Sequence, residues 1–298
     1  MRLSLRGGVF LGSPDFAFTR LSKFLIMGAL LSCHFIPTPP APLYATAFEF
    51  IGPRAFLLPF VAFFCAQCVI YHTTAVAFPR MFPRAPPLDA HATRSLSSFL
   101  ASALHHLIVV PISLYALVHF ASGRGVAWGA LAATPALSLA YLLMDFAFYV
   151  VPEAVGGTSY EYLLHHVAGL AVAVAVLASP PALLRWVPVL LVCEASSIPF
   201  CASYVLRKAG PPFSTGGAAL AMEGLFVTLF TATRVLHLPL AVGALSFAEA
   251  HAGDRALVGR AGLAVLWVLC AMQVAWFSQI ATLVAATLRG KKKEKVDG

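Results

Sequence analysis

The chain has 298 residues, 60% of them hydrophobic and only 11% charged, with a mean hydropathy of +0.84 and a formal net charge of +8. Soluble domains carry roughly 25% charged and about 45–50% apolar residues, so this composition excludes a water-soluble enzyme, a disordered chain and a coiled coil. The basic residues lie between and beside apolar segments, with no basic face interleaved with aromatics on a soluble element, so no nucleic-acid partner is expected.

In chain order, residues 1–54 read as an N-terminal tail. Arg2, Arg6, Arg20 and Lys23 precede a short apolar run, 24–36, and a Pro-rich linker follows at 37–42. The run is shorter than the roughly 20 residues of a comfortable span. A signal-peptide-like segment, an interfacial helix and an eighth span are three open readings of it. Seven long apolar segments come next, at 55–78, 97–121, 126–151, 162–178, 186–206, 218–244 and 257–288. In lipid the backbone must satisfy its own hydrogen bonds, so these are expected to be helices. The short alternating segments of a β-barrel are not seen. Turn chemistry separates the spans at 83–87, at Ser179-Pro180-Pro181 and at Gly210-Pro211-Pro212. The expected fold is all-α, a multi-pass transmembrane bundle over 55–288 with a basic tail at 289–298.

Charge orients the bundle. The side of the 79–96 connector carries Arg80, Arg84, Arg94, Arg207, Lys208, Arg289, Lys291, Lys292, Lys293 and Lys295. The opposite side carries Arg54, Arg124, Arg185, Arg255 and Arg260. The excess predicts that the first side, with the C-terminus, faces the cytosol. Asn is absent from the sequence, which excludes N-glycosylation. The six cysteines lie almost entirely in apolar segments, and Cys65-x-x-Cys68 has no second pair, so core packing is expected rather than disulfide or metal chemistry.

An ionisable residue inside a span is costly and by default marks a site or a pair. His105 and His106 are expected near the cytosolic end of their helix. Asp145 is expected about a turn from that end of the next helix, and His165 and His166 about a turn into the one after. Their common depth predicts a cytosol-facing polar pocket. A neutral imidazole takes a proton near pH 7, and a carboxylate on its other nitrogen raises its basicity. The plainer alternative is a hydrogen-bonded interfacial histidine. Glu194 and Arg234 sit deeper, at matching depth, and are expected to pair or to share a cluster with Ser196, Ser197 and Thr231. A structural ion pair that fixes helix register competes there with a ligand site. Glu223 either lines the same cavity as the histidines or snorkels to the surface. Neither His-His pair has a His three residues earlier, so no histidine-box metal site and no cofactor are expected. Repeated Pro and Gly in corresponding helices, which would favour a transporter, are not evident.

The order of motifs carries a resemblance. Tyr141-Leu142-Leu143-Met144-Asp145 is followed by Tyr160-Glu161-Tyr162-Leu163-Leu164-His165-His166, and then by Glu194-Ala195-Ser196-Ser197-Ile198-Pro199-Phe200. With Arg94-Ser95-Leu96-Ser97 and Thr233-Arg234-Val235, this resembles the TLC family (TRAM, LAG1 and CLN8 homology) over about residues 55–285. The resemblance implies six or seven helices around a lipid-accessible cavity, usually in the endoplasmic reticulum. In the ceramide synthases of that family the His-His pair is the centre for N-acylation of a sphingoid base by acyl-CoA. The matching positions are His165 and His166, with Asp145 beside them. The chain departs from those enzymes: 167–192 holds no Asp or Glu, the Asn after the Phe of the Glu-x-Ser motif is missing, and there is no homeobox-like insert. It looks closer to the small TLC domain-containing proteins associated with membrane lipid composition. The expected function is therefore lipid homeostasis: the chain binds a membrane lipid in a polar-floored helical cavity lined by His105, His106, Glu194, Ser196, Glu223 and Arg234. The alternative is a ceramide-synthase-like N-acyltransferase that uses His165, His166 and Asp145. The expected partner is a membrane lipid or acyl-CoA.

Overall fold

The computed structural model describes Ala47 and residues 51–122, 128–156, 160–179, 181–250 and 257–296. The run at 24–36 and the linker at 37–42 lie outside the described residues, as do the three readings placed on them. Seven helices are long and apolar enough to cross a membrane: α1 (Pro53–Met81), α2 (Ala90–Ala121), α3 (Ala133–Val155), α4 (Tyr160–Ala178), α5 (Trp186–Lys208), α6 (Gly217–Ala248) and α7 (Arg260–Ala286). No strand occurs among the described residues. The chain is an integral, multi-pass, all-α membrane protein.

Lipid tails are as apolar as leucine, so membrane helices are held together by close packing and polar contacts rather than by the hydrophobic effect. Helix α2 lies at the centre, against α1, α3 and α5. It buries His105, His106, Ser98 and Ser102 along one length. Helix α4 packs on α7, and a Cβ on Gly262 of α7 would stand 3.0 Å from that of Ala175, so a small residue is needed there. Lipid-facing positions stay apolar, as at Leu58, Val61, Val69, Leu164 and Val174. The α5–α6 connector crosses the α1–α2 connector closely. Gly210 there has φ +76°, and a Cβ would meet the Arg84 carbonyl oxygen at 2.5 Å. Only glycine meets both demands at low cost.

Helix boundaries change the expected depths. Asp89 accepts a hydrogen bond from the Ala92 amide at 2.7 Å, a side-chain cap that starts α2 seven residues before the expected 97. His105 and His106 therefore lie near the middle of their helix, Ala90–Ala121, not near the end where they were expected. The helix containing Asp145 does not stop at 151; it passes through a π-helical stretch, Phe146–Val150, into Val151–Val155. Asp145 is consequently also deeper than a single turn.

Three irregular stretches interrupt the helices. The π-helical stretch just described begins immediately after Asp145. A 3₁₀ stretch, Val192–Ser196, contains Glu194, and a second π-helical stretch, Phe230–His237, contains Arg234. Such interruptions leave the regular backbone ladder locally broken and often accompany functional sites. Here each one falls at an acidic or basic residue between spans, Asp145 and Arg234 buried and Glu194 partly so.

Candidate functional site

Asp145 organises the first cluster. Its Oδ1 accepts from the Tyr71 hydroxyl at 2.9 Å and from Ser98 Oγ at 2.6 Å. Its Oδ2 faces His166 Nε2 at 2.9 Å. The opposite nitrogen of His166, Nδ1, lies 3.0 Å from the carbonyl oxygen of Tyr162, one turn earlier in α4. A carbonyl only accepts, so Nδ1 carries a proton. The proton between Nε2 and Oδ2 belongs to the His166–Asp145 pair, and whichever atom holds it, His166 offers no free lone pair to a third group. Both residues are buried.

His165 differs from its neighbour. Its ring lies 5.5 Å from that of His166 at nearly a right angle, and 5.4 Å from the Trp276 ring of α7. Its Nδ1 is buried without a hydrogen-bond partner. The two histidines of the pair thus separate into a fixed member and a member with an unengaged ring nitrogen. Adjacent helical residues point about 100° apart, which makes this separation possible.

Arg234 organises the second cluster. Its Nη2 donates to Glu194 Oε2 at 2.7 Å and to Ser197 Oγ at 2.8 Å; its Nε donates to Ser196 Oγ at 2.9 Å, and its Nη1 to Gln273 Oε1 at 3.2 Å. Glu194 Oε2 also accepts from Ser197 Oγ at 2.9 Å and faces His106 Nε2 at 3.0 Å. On its other side His106 Nδ1 meets Ser102 Oγ at 3.2 Å, and the Tyr141 hydroxyl donates to that same Ser102 oxygen at 3.2 Å. Proton directions follow without conflict: Tyr141 to Ser102, Ser102 to His106 Nδ1, His106 Nε2–H to Glu194. The network ties α2, α3, α5, α6 and α7 together.

The expected residues therefore fall into separate groups. Glu194, Ser196, Arg234 and His106 form one network, with Ser197 in it. Thr231 is not part of it; its hydroxyl bonds the Val227 carbonyl of its own helix, while Thr233 reaches the Cys193 carbonyl at 3.2 Å. Asp145 and His166 form another, with His165 alongside. His105 bonds Ser138 at 3.2 Å and stacks on Tyr141 at 4.5 Å. Glu223 stands apart from the histidines and pairs with Arg207 at 2.7 Å near the end of α5. The polar side chains of both networks mostly engage one another. An open groove between α4 and α7 is instead lined by apolar residues such as Leu170, Val174 and Val265. Among the described residues no group of three or more His, Cys, Asp or Glu is arranged to hold a metal ion.

Sequence reasoning missed Tyr71, Ser98, Ser102, Tyr141 and Gln273. The only signal for Gln273 is an amide in the middle of an apolar span. The serines of α2 recur at 95, 98 and 102, on one helical face, which is a weak signal that was available.

A bundle of seven membrane-crossing helices, with a buried His-Asp pair and a buried Glu-Arg pair at helix irregularities, defines a polytopic membrane protein with a polar interior. Residues 95–282 match the family model of the TLC domain (TRAM, LAG1 and CLN8), which is more than half of the chain. The chain belongs to the TLC-domain family. No curated protein and no solved structure matches it.

Proposed function

We propose that the chain handles a membrane lipid and that its chemistry is acyl transfer onto a lipid amine, with His165 as general base. One observation carries this reading: a buried His166–Asp145 pair, itself held by Tyr71 and Ser98, lies against a histidine whose Nδ1 has no partner. A general base needs a free lone pair within reach of the proton it takes, and in this cluster His165 has one while His166 does not. With an acyl-CoA donor, His165 takes the amine proton as the new N–C bond forms; the C–S bond breaks, and the departing thiolate receives the proton. The basic connectors on the 79–96 side suit the phosphates of such a donor. The charge bias of the loops supports a cytosolic C-terminus, and the family resemblance supports the endoplasmic reticulum.

A second reading is a lipid-binding protein without catalysis. It is favoured by the extent to which both networks satisfy themselves, which is the behaviour of a scaffold. The experiment is expression of the chain and its His165→Ala variant in cells lacking ceramide synthase activity, with ceramides and phospholipid acyl chains quantified by mass spectrometry. N-acyl product only with the intact histidine supports the enzyme. An altered phospholipid profile with both proteins, and no ceramide, supports the binding role.

A further inference from the structure

Gln67 lies in the middle of α1, is fully buried at 0% exposure, and neither its Nε2 nor its Oε1 has a hydrogen-bond partner. A buried amide left unmatched is strongly destabilising, and the bilayer supplies no solvent to relieve it. A second orphan lies nearby: His105 Nδ1 is buried and unpartnered, although its Nε2 contacts Ser138.

The helix register brings the two orphans toward each other. Helices α1 and α2 run antiparallel, with Phe63 against His105 and the Tyr71 carbonyl against Ser97. Gln67 lies midway between Phe63 and Tyr71, and so falls opposite Ala101, one turn from His105. Helix α3 runs parallel to α1, with Asp145 against Tyr71, so Gln67 is level with Tyr141. Side chains on a helix lean toward its N-terminus. In an antiparallel pair Gln67 therefore leans toward the level of His105, and His105 leans toward that of Gln67. The Tyr141 ring, stacked on His105, closes the third side.

We propose that the junction of α1, α2 and α3 is a binding site for a hydroxyl group, which accepts from Gln67 Nε2 and donates to His105 Nδ1. A buried water typically makes about three hydrogen bonds to otherwise unmatched groups, and the three orphan atoms here suit it. The hydroxyl of a lipid headgroup has the same donor and acceptor. In either case the bound proton fixes His105 as the Nε2–H tautomer, donating to Ser138 Oγ. Through His105 the site reaches Ser138 by a hydrogen bond and the Tyr141 ring by stacking. The inference does not depend on the catalytic reading.

The test uses the sign of a stability change. Gln67→Leu is close in volume and removes the amide. If the amide is matched by a bound hydroxyl, the variant lowers Tm in detergent by several degrees; an unmatched amide gives an increase instead, and an increase or no change overturns the proposal. His105→Phe keeps the stacking on Tyr141 and removes Nδ1. The double variant is expected to lose less than the two single losses combined, and full additivity overturns the shared ligand. The wild-type protein answers if the variants do not fold. X-ray hydroxyl-radical footprinting oxidises buried Phe63 if the site holds water. If it holds a lipid hydroxyl, that oxidation is missing and added 1-dodecanol raises Tm. Absence of both responses overturns the site.

Discussion

The two charge clusters differ in how completely the polar groups around them are engaged. Around Arg234 all three guanidinium nitrogens are engaged, through four hydrogen bonds from Nε, Nη1 and Nη2, and Glu194 Oε2 faces Arg234, Ser197 and His106. Around Asp145 the bonds end at the Tyr162 carbonyl beyond His166; His165 stands beside that ring, bonded to none of these groups, and its Nδ1 has no partner. A saturated network in a low-dielectric interior holds its helices rigidly, and its loss of any member leaves a stranded charge. A histidine packed against the Asp145 network, with one ring nitrogen unengaged, is the group left to accept a proton under the proposed reading. The comparison teaches that charge burial alone does not tell the two clusters apart; the unengaged ring nitrogen beside one of them does.

The largest expected effect is on the saturated side. Arg234→Ala and Glu194→Ala should each cost about 3–5 kcal/mol of stability, because each leaves its buried partner uncompensated. The double change should cost less than the sum. Thermal unfolding in detergent measures this, and full additivity would show that the two do not act as a pair. Asp145→Ala should come next. It strands Tyr71, Ser98 and His166 at once, with an expected loss of about 3 kcal/mol, read from the same unfolding curves. Tyr71→Phe removes one hydrogen bond to the buried Asp145 carboxyl and should cost roughly 1–3 kcal/mol. His165→Ala should change stability less than any of these while lowering turnover about 10²–10⁴-fold; a collapse of the fold in this variant would place His165 with the scaffold. Glu223→Gln is expected to be the smallest, within about 1 kcal/mol, since the Arg207–Glu223 pair is partly exposed at 35% and 25%.

Much of the fold was legible because hydropathy reports spans directly. All seven segments correspond to helices, and Glu194 and Arg234 could be matched by depth before any contact was known. Depth near the helix ends was less legible. The Asp89 cap carries α2 back to Ala90, and the π-helical stretch after Asp145 extends α3; neither leaves a hydropathy signal. The expected partners of Glu194 included Thr231, but a threonine in a helix readily bonds its own preceding carbonyl, as Thr231 does. The residues that orient Asp145 were hidden for a related reason. Tyr and Ser pass as ordinary members of a membrane helix, and only the fold brings Tyr71 of α1 and Ser98 of α2 onto one carboxylate. The division between His165 and His166 was invisible as well, because it rests on the carbonyl of Tyr162 and on Asp145, which together use both nitrogens of one ring.

The central claim is the proposed role of His165, packed against the Asp145–His166 pair, as general base. Its most direct test is a turnover assay on purified, folded protein in nanodiscs, with a long-chain acyl-CoA and a sphingoid base, comparing the wild type with His165→Ala. The account predicts N-acyl product from the wild type and a fall of about 10²–10⁴-fold in the variant, the usual contribution of a positioned general base, with Tm little changed. Equal turnover by the two proteins, or no product from a folded wild type, would contradict it.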